Sequence, residues 1–383
     1  MSRPGFAGSP PTASVGPVRG RVVTAEWAPR VVTPLHDVLT EEERRTVLAG
    51  NPDSYLHVTG DPLALRRLLD RGAYRCLVEP GWFVYRMREA GGEHTGVVAS
   101  VGLPAFADGS VLGHERVQPL RVEALVRHYE QVPLRSELVT LFHRSDAALR
   151  ELVGRVTSGP PLLELTDVAG VEQTVWQVGL GDAAALGARL ETQRLYIADG
   201  HHRVAAALRC WDAAGRPDAS AVLCVLYPQD QIVLHAFHRR LRGPVVAGEL
   251  VEALTPTFDV RRAAGPELAG GTIGLYVDRQ WHVLEPRERS GATAVDGLDV
   301  TTLHTRLLGA LLGIHEDDPR LEFVPDAGDL QAVVRACDDD RGALFTLRPP
   351  ALDDVIEVAE RQEVMPAKTT YLRPKPRAGI FLQ

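Results

Sequence analysis

The 383-residue sequence predicts an α+β protein built on a mixed β-sheet with flanking helices. Strand patterns and helix patterns follow one another in an irregular order, and short hairpins join neighbouring strands. A pure Rossmann winding is disfavoured because the glycine fingerprint GxGxxG is missing after the first strand. Hydrophobic residues make up 45% of the chain, which is enough to build the core of two domains or of one elaborated domain.

The composition divides the chain into three regions. Residues 1–29 are predicted to be a disordered leader, because Pro, Gly and Ser are abundant at its start and cannot bury enough surface to offset the entropy of ordering. Residues 30–243 are predicted to form a first domain. A composition shift near residue 243 then begins a C-terminal α/β region over 244–383, which ends in a loop that contains lysine.

Within the first domain, capping residues and periodicity place the elements. Thr40 is a predicted N-cap, since three glutamates follow it, and residues 61–71 carry apolar side chains at helical spacing. The predicted helices are 40–49, 61–71, 121–130, 146–156 and a helix from residue 201. The predicted strands are 82–87, 96–103, 136–143, 195–199, 221–227 and 232–241, with a further hairpin around 174–178.

The C-terminal region has the same mixed pattern. Its predicted helices are 248–255, 300–313, 327–337 and 352–360. Its predicted strands lie near 273–284 and 343–347. No internal repeat is visible in the sequence.

The junction between the strand 195–199 and the following helix carries the strongest functional signal. The strand ends at Asp199, the chain turns on Gly200, and the helix begins with His201, His202 and Arg203. The N-terminus of a helix attracts anions, Gly200 lets backbone approach closely, and the three side chains add donors. The pattern therefore predicts a phosphate site. The alternative is a solvated surface turn in which Asp199 only caps its helix.

The two lysines point to the same chemistry. Of the 42 basic residues, only Lys368 and Lys375 are lysines. Where nearly every cation is an arginine, the remaining lysines indicate positions that need a compact ammonium group, and phosphate contact is one such position. The alternative is a basic, proline-rich tail exposed to water.

Charge and cysteine content limit the function classes. The net charge of −8 gives no overall field to attract DNA, RNA or an anionic membrane. No apolar run is long enough to span a membrane, and the N-terminus lacks a signal peptide core, so a cytoplasmic protein is expected. The four cysteines form no CxxC pair and are predicted to be buried thiols: Cys76, Cys210, Cys224 and Cys337.

Two other candidate groups carry weaker signals. Glu115, which follows His114 between a predicted strand end and a helix start, is positioned to act as a general base toward a hydroxyl, or is a solvated turn residue. His235 and His238 suggest zinc, but residues three apart on a strand face opposite sides. A P-loop, a kinase glycine loop and a GxSxG elbow are all missing from the sequence.

Taken together, these segments resemble the bacterial and archaeal family catalogued as domain of unknown function 1015, from about residue 30 to the C-terminus. The segments that carry the resemblance are 33–38, 51–58, 82–86, 113–116, 199–203, 238–239 and 365–376. The chain departs from the family at Leu35 and His36, and at Thr369, where a serine is common.

The motif at 199–203 is also similar to that of free-serine kinases, in the superfamily that includes chromosome-partition CTPases and sulfiredoxin. This resemblance implies a ParB/sulfiredoxin-like nucleotide-binding core, in which the start of the helix binds nucleotide phosphates. It also implies a glutamate that helps to activate the acceptor hydroxyl, and Glu115 is the residue that we expect in that role.

The predicted function is a kinase that uses Mg²⁺ and ATP, ADP or CTP to phosphorylate a small hydroxyl compound, with free serine as the first guess. Glu115 is the predicted base, and Asp199 is predicted to hold Mg²⁺. The predicted phosphate-binding residues are Gly200, His201, His202, Arg203, Arg239, Lys368, Thr369 and Lys375.

Three other functions stay open from the sequence. The main alternative is a regulatory protein that binds or hydrolyses a nucleotide and engages a protein partner, without a metabolite acceptor. A DNA-binding partition-type protein is disfavoured by the acidic charge and the lack of a helix-turn-helix pattern. A zinc hydrolase is the least favoured.

Overall fold

The computed structural model describes residues 14–36, 38–89, 91–217, 219–288, 291, 293–326 and 328–383. Its strands are β1 (Val15–Gly16), β2 (Arg21–Val23), β3 (Tyr74–Cys76), β4 (Phe83–Glu89), β5 (Gly92–Gly102), β6 (Val111–Leu112), β7 (Val139–His143), β8 (Leu163–Thr166), β9 (Glu172–Gln177), β10 (Leu195–Asp199), β11 (Ala221–Pro228), β12 (Leu234–Leu241), β13 (Phe258–Ala263), β14 (Ile273–Val277), β15 (Gln280–Pro286), β16 (Leu321–Pro325), β17 (Ala343–Thr346), β18 (Thr370–Leu372) and β19 (Phe381–Leu382).

The α-helices are α1 (Ala28–Val31), α2 (Glu41–Gly50), α3 (Pro62–Asp70), α4 (Leu103–Ala107), α5 (Pro119–Gln131), α6 (Ala147–Thr157), α7 (Leu180–Glu191), α8 (His201–Ala213), α9 (Ala247–Leu254), α10 (Asp299–Thr302), α11 (Leu330–Asp340) and α12 (Leu352–Glu360). A π-helical segment, Leu303–Leu311, continues α10. Short 3₁₀ turns lie at Tyr55–Thr59, Gln229–Gln231 and Val295–Gly297.

The chain divides into two compact units. Unit 1 comprises the chain up to Leu112, Val117–Ile232 and Pro374–Gln383, and unit 2 comprises Gly113–Arg116 and Val233–Arg373. Both units are therefore discontinuous in sequence. In particular, the segment from Pro374 onward belongs to unit 1, although it follows all of unit 2 along the chain.

Unit 1 is built on a nine-stranded mixed sheet in the order β6-β10-β7-β11-β5-β4-β9-β8, with β1 paired to β5. β10 runs parallel to β6 and antiparallel to β7, while β7 and β11 are parallel. The pairs from β11 to β8 are antiparallel. The residues of β7 are all buried, as expected for a central strand that is covered on both faces.

Alternate residues of β4 explain how both faces of this sheet are covered. Phe83 and Tyr85 belong to one hydrophobic cluster, while Val84 belongs to another. Since successive side chains of a strand point to opposite faces, the two clusters lie on opposite faces of the sheet. The first cluster also includes residues of the small antiparallel sheet β19-β2-β3.

A buried ion pair holds the C-terminal segment in unit 1. Arg377 Nε donates to Asp167 Oδ2, and the two side chains are 3% and 0% exposed. The backbone N–H of Arg377 donates to the hydroxyl of Tyr85 at 3.2 Å. Asp167 also accepts from Gln173 Nε2 at 2.9 Å. Because both charges are removed from water and bonded to each other, the pair is costly to break on one side.

Unit 2 contains a second sheet in the order β13-β15-β14-β17-β12-β16, with β18 paired to β12. The pairings described for this sheet are antiparallel. Leu275 and Phe345 are fully buried neighbours on β14 and β17, and helices α9 to α12 belong to the same unit.

The predicted fold class, α+β with mixed sheets and flanking helices, is confirmed. The predicted N-cap is also observed, since Thr40 Oγ1 accepts from the backbone N–H of Glu43 and the Glu43 carboxylate accepts from the backbone N–H of Thr40. The predicted helices and strands of the first domain are present with shifts of a few residues at their ends. The helix expected over 300–313 is instead α10 followed by the π-helical segment.

Several elements were missed by the sequence patterns. The alanine-rich helix α7 and the strand β13 had not been predicted. The helix expected over 327–337 begins at Leu330, and residue 327 lies outside the described residues. Short edge strands such as β6 and β18, with two and three residues, are too brief to show a period of their own.

The predicted domain boundaries differ from the structure. Residues 14–29, which were predicted to belong to a disordered leader, form β1, β2 and the start of α1, and residues 1–13 lie outside the described residues. Val18 and Val22 are fully buried, so the valines between the glycines and prolines supply the apolar surface that the composition argument overlooked. The sequence predicts a boundary at residue 243, but in the structure this stretch of unit 1 ends at Ile232. Residues 374–383 then return to unit 1.

The cysteine and membrane predictions can also be compared with the structure. All four cysteines are free thiols, but only Cys224 and Cys337 are buried as predicted. Cys210 is half-buried, and Cys76 is exposed at the end of the short strand β3. Within the described part of the chain, no helix combines the length and the apolar composition that crossing a bilayer requires.

Replacing Arg377 by Met should destabilise the protein by about 3–5 kcal/mol, since Asp167 would keep a buried charge without its cation. The methionine side chain fills much of the same space, so the loss reports the charge. Chemical denaturation followed by circular dichroism measures it. Arg209→Met on the exposed face of α8 is the matched control and should change stability by less than about 0.5 kcal/mol. Equal stability of the two variants would contradict the structural role of the ion pair.

Candidate functional site

The junction between β10 and α8 in unit 1 has the geometry that the sequence predicted. β10 lies between β6 and β7, and its residues before Asp199 are buried. Gly200 is the N-cap of α8 and has φ +109°, in the left-handed region. A Cβ at this position would lie 3.1–3.2 Å from the Arg203 guanidinium. Glycine is therefore favoured here by the backbone conformation, and any side chain would also displace the Arg203 guanidinium by a few tenths of an ångström.

Asp199 lies between two cations. Its Oδ1 atom is 3.0 Å from Lys375 Nζ, and its Oδ2 atom accepts from Arg203 Nη2. The side chains of Asp199, Arg203 and Lys375 are 20%, 13% and 7% exposed. Arg203 also donates through Nη1 to the backbone carbonyl of Leu138. One carboxylate thus contacts two cations at the start of α8.

The charges determine the protonation of Asp199. Burial alone raises the pKa of this carboxyl, but the Lys375 ammonium and then the Arg203 guanidinium outweigh burial and hold its pKa well below the usual range. Asp199 is therefore ionised at neutral pH. Its two oxygens contact Lys375 and Arg203, and its role as a Mg²⁺ ligand stays a prediction. Within the described residues, it belongs to no group of side chains placed to hold a metal ion.

The two histidines of the motif differ from each other. His201 is buried in the first turn of α8. His202 is half-buried, and its Nε2 accepts from the backbone N–H of Gln118 at 2.9 Å. Gln118 is the N-cap of α5, so His202 connects α8 to the start of α5. Because Nε2 of His202 is an acceptor here, this atom does not present a proton to a phosphate as predicted.

Arg377 fixes the backbone beside Lys375. The Arg377 Nη1 atom donates to the carbonyl of Lys375 at 2.8 Å, while Nε contacts Asp167. The position of the Lys375 ammonium therefore depends on the buried ion pair of unit 1. Sequence analysis missed Arg377 and Asp167, which are 210 positions apart. The one signal was that Arg377 directly follows the proline-rich segment 374–376, which contains the second lysine.

The remaining predicted site residues lie in unit 2, so the predicted site residues are divided between the two units. Glu115 is half-buried and forms a parallel bridge with Met365. Thr369 is buried, and its hydroxyl donates to the carbonyl of Pro366 at 2.7 Å. Lys368 has φ +58°, and its ammonium lies 5.1 Å from the ring centre of Phe237.

Arg239 does not fit the predicted phosphate contact. It is fully buried in β12, and its guanidinium donates to the carbonyls of Phe237 and Lys368 at 2.7 and 3.0 Å, and to His304 Nε2 at 2.8 Å. Burial lowers the pKa of Arg239 to about 9, against the opposing effect of Glu316 and then Glu115, so it stays charged at neutral pH. Its contacts give it a structural role around the 366–369 loop.

The zinc alternative at β12 is not supported. His238 Nε2 contacts Asp326 Oδ1 at 3.0 Å, and its Nδ1 accepts from the backbone N–H of Leu347 at 3.2 Å. Both ring nitrogens are therefore engaged. The His235 ring instead lies 6.5 Å from that of Tyr371. Within the described residues, neither histidine belongs to a group of ligands placed to hold a metal ion.

The fold and this junction define an α+β protein with a cationic strand-to-helix site. The chain belongs to the family described as protein of unknown function (DUF1015), whose sequence model matches residues 15–301. This confirms the predicted family. The match begins earlier than the predicted residue 30 and ends before the segment that contains both lysines.

Solved structures with a related arrangement have low sequence identity. SbnI with C-terminal truncation from Staphylococcus aureus has a TM-score of 0.42 and 12% identity, covering 74% of this chain and 85% of that chain. A free serine kinase in complex with AMP has a TM-score of 0.40 and 15% identity, covering 75% and 91%. A conserved hypothetical protein from Pyrococcus furiosus has a TM-score of 0.40 and 14% identity, covering 75% and 94%.

No curated protein matches the chain. The TM-scores near 0.4 are too low to carry an argument about activity. The chemistry of this chain therefore has to be inferred from its own residues.

The lowered pKa of Asp199 predicts an acid-sensitive contribution to stability. A carboxyl with a lower pKa in the folded state stabilises the fold above its unfolded pKa of about 3.9, and this contribution is lost as the pH falls through the lower, folded value. Asp199→Asn should therefore be less stable than the wild type at pH 7 and should show a smaller loss of stability below about pH 4. Thermal unfolding across the acid range measures both effects.

The control for this prediction is Asp212→Asn on the same helix, where the carboxyl is exposed and contacts Arg216. Its acid profile should follow that of the wild type. If the stability of Asp199→Asn and that of the wild type fall in parallel below about pH 4, Asp199 is not the titrating group.

Proposed function

We propose that this chain is a nucleotide-dependent phosphotransferase that binds the phosphates of its donor at the β10–α8 junction of unit 1. The observation that carries the proposal is the Asp199 carboxylate shared between Arg203 and Lys375 at the start of α8. These two cations lie beside the positive end of the helix dipole, and both features attract a polyphosphate.

Each residue of the junction has a role in this proposal. Gly200 lets the phosphate approach the backbone of the first turn of α8, where N–H groups point along the helix axis. Lys375 and Arg203 stabilise negative charge on the transferred group through their ammonium and guanidinium groups. Asp199 holds both cations in place before the donor binds. Mg²⁺ enters only as the ion that accompanies the nucleotide.

The cations favour phosphoryl transfer over hydride or acyl transfer. The transition state of phosphoryl transfer spreads charge over the phosphoryl oxygens, and catalysis depends on positioning and on electrostatic stabilisation. A preorganised ammonium and guanidinium supply this without reorganisation at the moment of reaction. The lysine is also held at 7% exposure, so its interaction with an anion is less screened by water than on an open surface.

The proposed acceptor is a small hydroxyl compound, with free serine as the first candidate, and Glu115 is its proposed base. In the transfer, the acceptor oxygen bonds to the terminal phosphorus, the P–O bond to the nucleotide breaks, and the hydroxyl proton passes to the Glu115 carboxylate. The support for Glu115 is its residue type and its place in the family motif. Lys368 and Thr369 stay in the proposal as secondary phosphate contacts.

Arg203→Ala should weaken nucleotide binding by about ten- to hundredfold, because a hydrogen bond from a charged group contributes about 1.5–3 kcal/mol. The measurement is isothermal titration with ATP, ADP and CTP in the presence of Mg²⁺. Arg209→Ala, six residues further along α8 and exposed, should bind like the wild type.

A second pair of variants distinguishes a loss of binding from a loss of folding. Lys375→Arg keeps the charge beside Asp199 and should retain more binding than Lys375→Met, while both are checked for folding by circular dichroism. If Arg203→Ala and Lys375→Met both bind nucleotide as tightly as the wild type, the junction is not the phosphate site.

Glu115→Gln should keep nucleotide binding and lower the rate of transfer to the acceptor by about 10²–10⁴-fold, since it removes a general base. Product formation from labelled nucleotide, with serine and other hydroxyl compounds tested singly, measures the rate. Glu123→Gln on the exposed face of α5 is the matched control. If nucleotide is hydrolysed equally with and without acceptors, and Glu115→Gln has no effect, the regulatory alternative replaces the kinase.

A further inference from the structure

Unit 1 contains a cavity of about 210 Å³ that the proposed function does not use. The cavity lies between α6 and the face of the large sheet that carries Val97 and Leu226. An engineered cavity of about 150 Å³ in another protein holds benzene, so this volume is enough for a molecule of one or two small rings. Much of the wall is apolar, and its apolar side chains include Val97, Leu149, Val153, Leu190 and Leu226.

A buried histidine in this wall has an open ring nitrogen. His143, the last residue of β7, lines the cavity and is 3% exposed. Its Nδ1 atom donates to the carbonyl of Arg144 at 2.8 Å, so in the neutral ring Nε2 is an acceptor. Nε2 has no hydrogen-bond partner among the residues that the structure describes, yet it is not one of the buried polar atoms that are closed off from solvent. A molecule in the cavity can therefore donate a hydrogen bond to it.

The protonation of His143 keeps this acceptor available. Burial lowers the pKa of the ring, against the opposing effects of the Arg144 carbonyl and then of the Asp146 and Asp230 charges. The imidazole is therefore neutral at physiological pH. Since Nδ1 holds the proton of the neutral ring, the lone pair of Nε2 is free to accept.

The charged side chains of the wall are already engaged. Arg150 Nη2 is 2.5 Å from Asp230 Oδ2, and Arg86 Nε is 3.1 Å from Glu93 Oε1. Asp146 caps α6, where its Oδ1 accepts from two backbone N–H groups at 2.8 and 3.1 Å. A charged ligand would have to compete with these contacts. The wall therefore favours an uncharged ligand.

The open acceptor and the apolar wall select the chemistry of that ligand. An aliphatic amine would carry a charge at neutral pH, and a hydroxyl or an amide has lone pairs that would lose their contacts with water against apolar side chains. The N–H of a pyrrole-type ring, as in indole, is uncharged and only donates, so one acceptor satisfies it. The flat carbon skeleton of such a ring gains from burial against aliphatic side chains.

We infer that this cavity binds an uncharged heteroaromatic compound of about the size of indole, with its ring N–H donated to His143 Nε2 and its rings packed against Val97 and Leu226. Nothing in the proposed function gives these residues a role. The ligand class also differs from the polar acceptor that the proposed function requires.

The cavity is separate from the β10–α8 junction. Asp199 pairs with Thr140 near the start of β7, whereas His143 is the last residue of that strand. Three residues of a strand span about 10 Å. Neither Arg203 nor Lys375 lines the cavity, so the inference holds whether or not the junction binds a nucleotide.

The test is a ligand-observed NMR titration of the full chain with indole and with benzofuran, each added singly without nucleotide. Benzofuran is the matched probe, since it has the same fused rings with an oxygen atom in place of the N–H. Indole should bind in the millimolar range or tighter. Benzofuran should bind about tenfold more weakly, a loss of about 1.4 kcal/mol.

Variants then separate the hydrogen bond from the space. His143→Phe keeps a ring but removes the acceptor and should weaken indole binding about tenfold. Val153→Phe places a larger side chain in the wall and should abolish binding of both probes. His128→Phe and Val168→Phe, which lie outside the wall, are the matched controls and should bind indole like the wild type. Circular dichroism checks that each variant folds.

Three results would overturn the inference: no binding of indole, binding of benzofuran as tight as that of indole, or unchanged indole binding in folded His143→Phe or Val153→Phe. The comparison of the two probes uses the wild type, so it decides even if a variant unfolds. Loss of nucleotide binding in Arg203→Ala, with indole binding intact, would support two separate sites. Nucleotide binding without indole binding would overturn this inference alone, so the two proposals fail separately.

Discussion

The Asp199 carboxylate between Lys375 and Arg203 is the interaction on which the candidate site of unit 1 depends. Two cations this close would repel each other and would be costly to bury without a shared counter-ion. Asp199 removes that cost and fixes both groups at the start of α8, while Gly200 keeps the turn free of a side chain. The site is thus preorganised before any ligand arrives, which is what electrostatic catalysis requires.

The local part of this arrangement could be predicted from the sequence, whereas the long-range part could not. Asp199, Gly200 and Arg203 lie within five positions, so a strand pattern, a glycine and a helix pattern were enough to place them. Lys375 could be singled out by its rarity, but its contact with Asp199 could not be deduced. That contact depends on Arg377 and Asp167, and no local pattern connects residues so far apart in the sequence.

The errors of the sequence analysis have the same origin. The glycines and prolines before residue 29 predict disorder. The stretch instead forms strands, because β1 pairs with β5 and β2 pairs with β3 and β19. Arg239 was expected to contact phosphate because cations favour anions, yet tertiary packing surrounds it with carbonyl groups and an imidazole. In both cases, tertiary partners decided what composition and residue type alone could not.

The return of residues 374–383 to unit 1 has a consequence for how the protein is made. A ribosome releases the chain from its N-terminus, so all of unit 2 is synthesised before the segment that carries Lys375 and Arg377 is available. Until then, Asp167 and Asp199 lack these two cations, and the strand β2 lacks its neighbour β19. The cationic junction is therefore among the last parts of the molecule to be assembled, and nascent chains carry Asp199 without its full set of counter-ions.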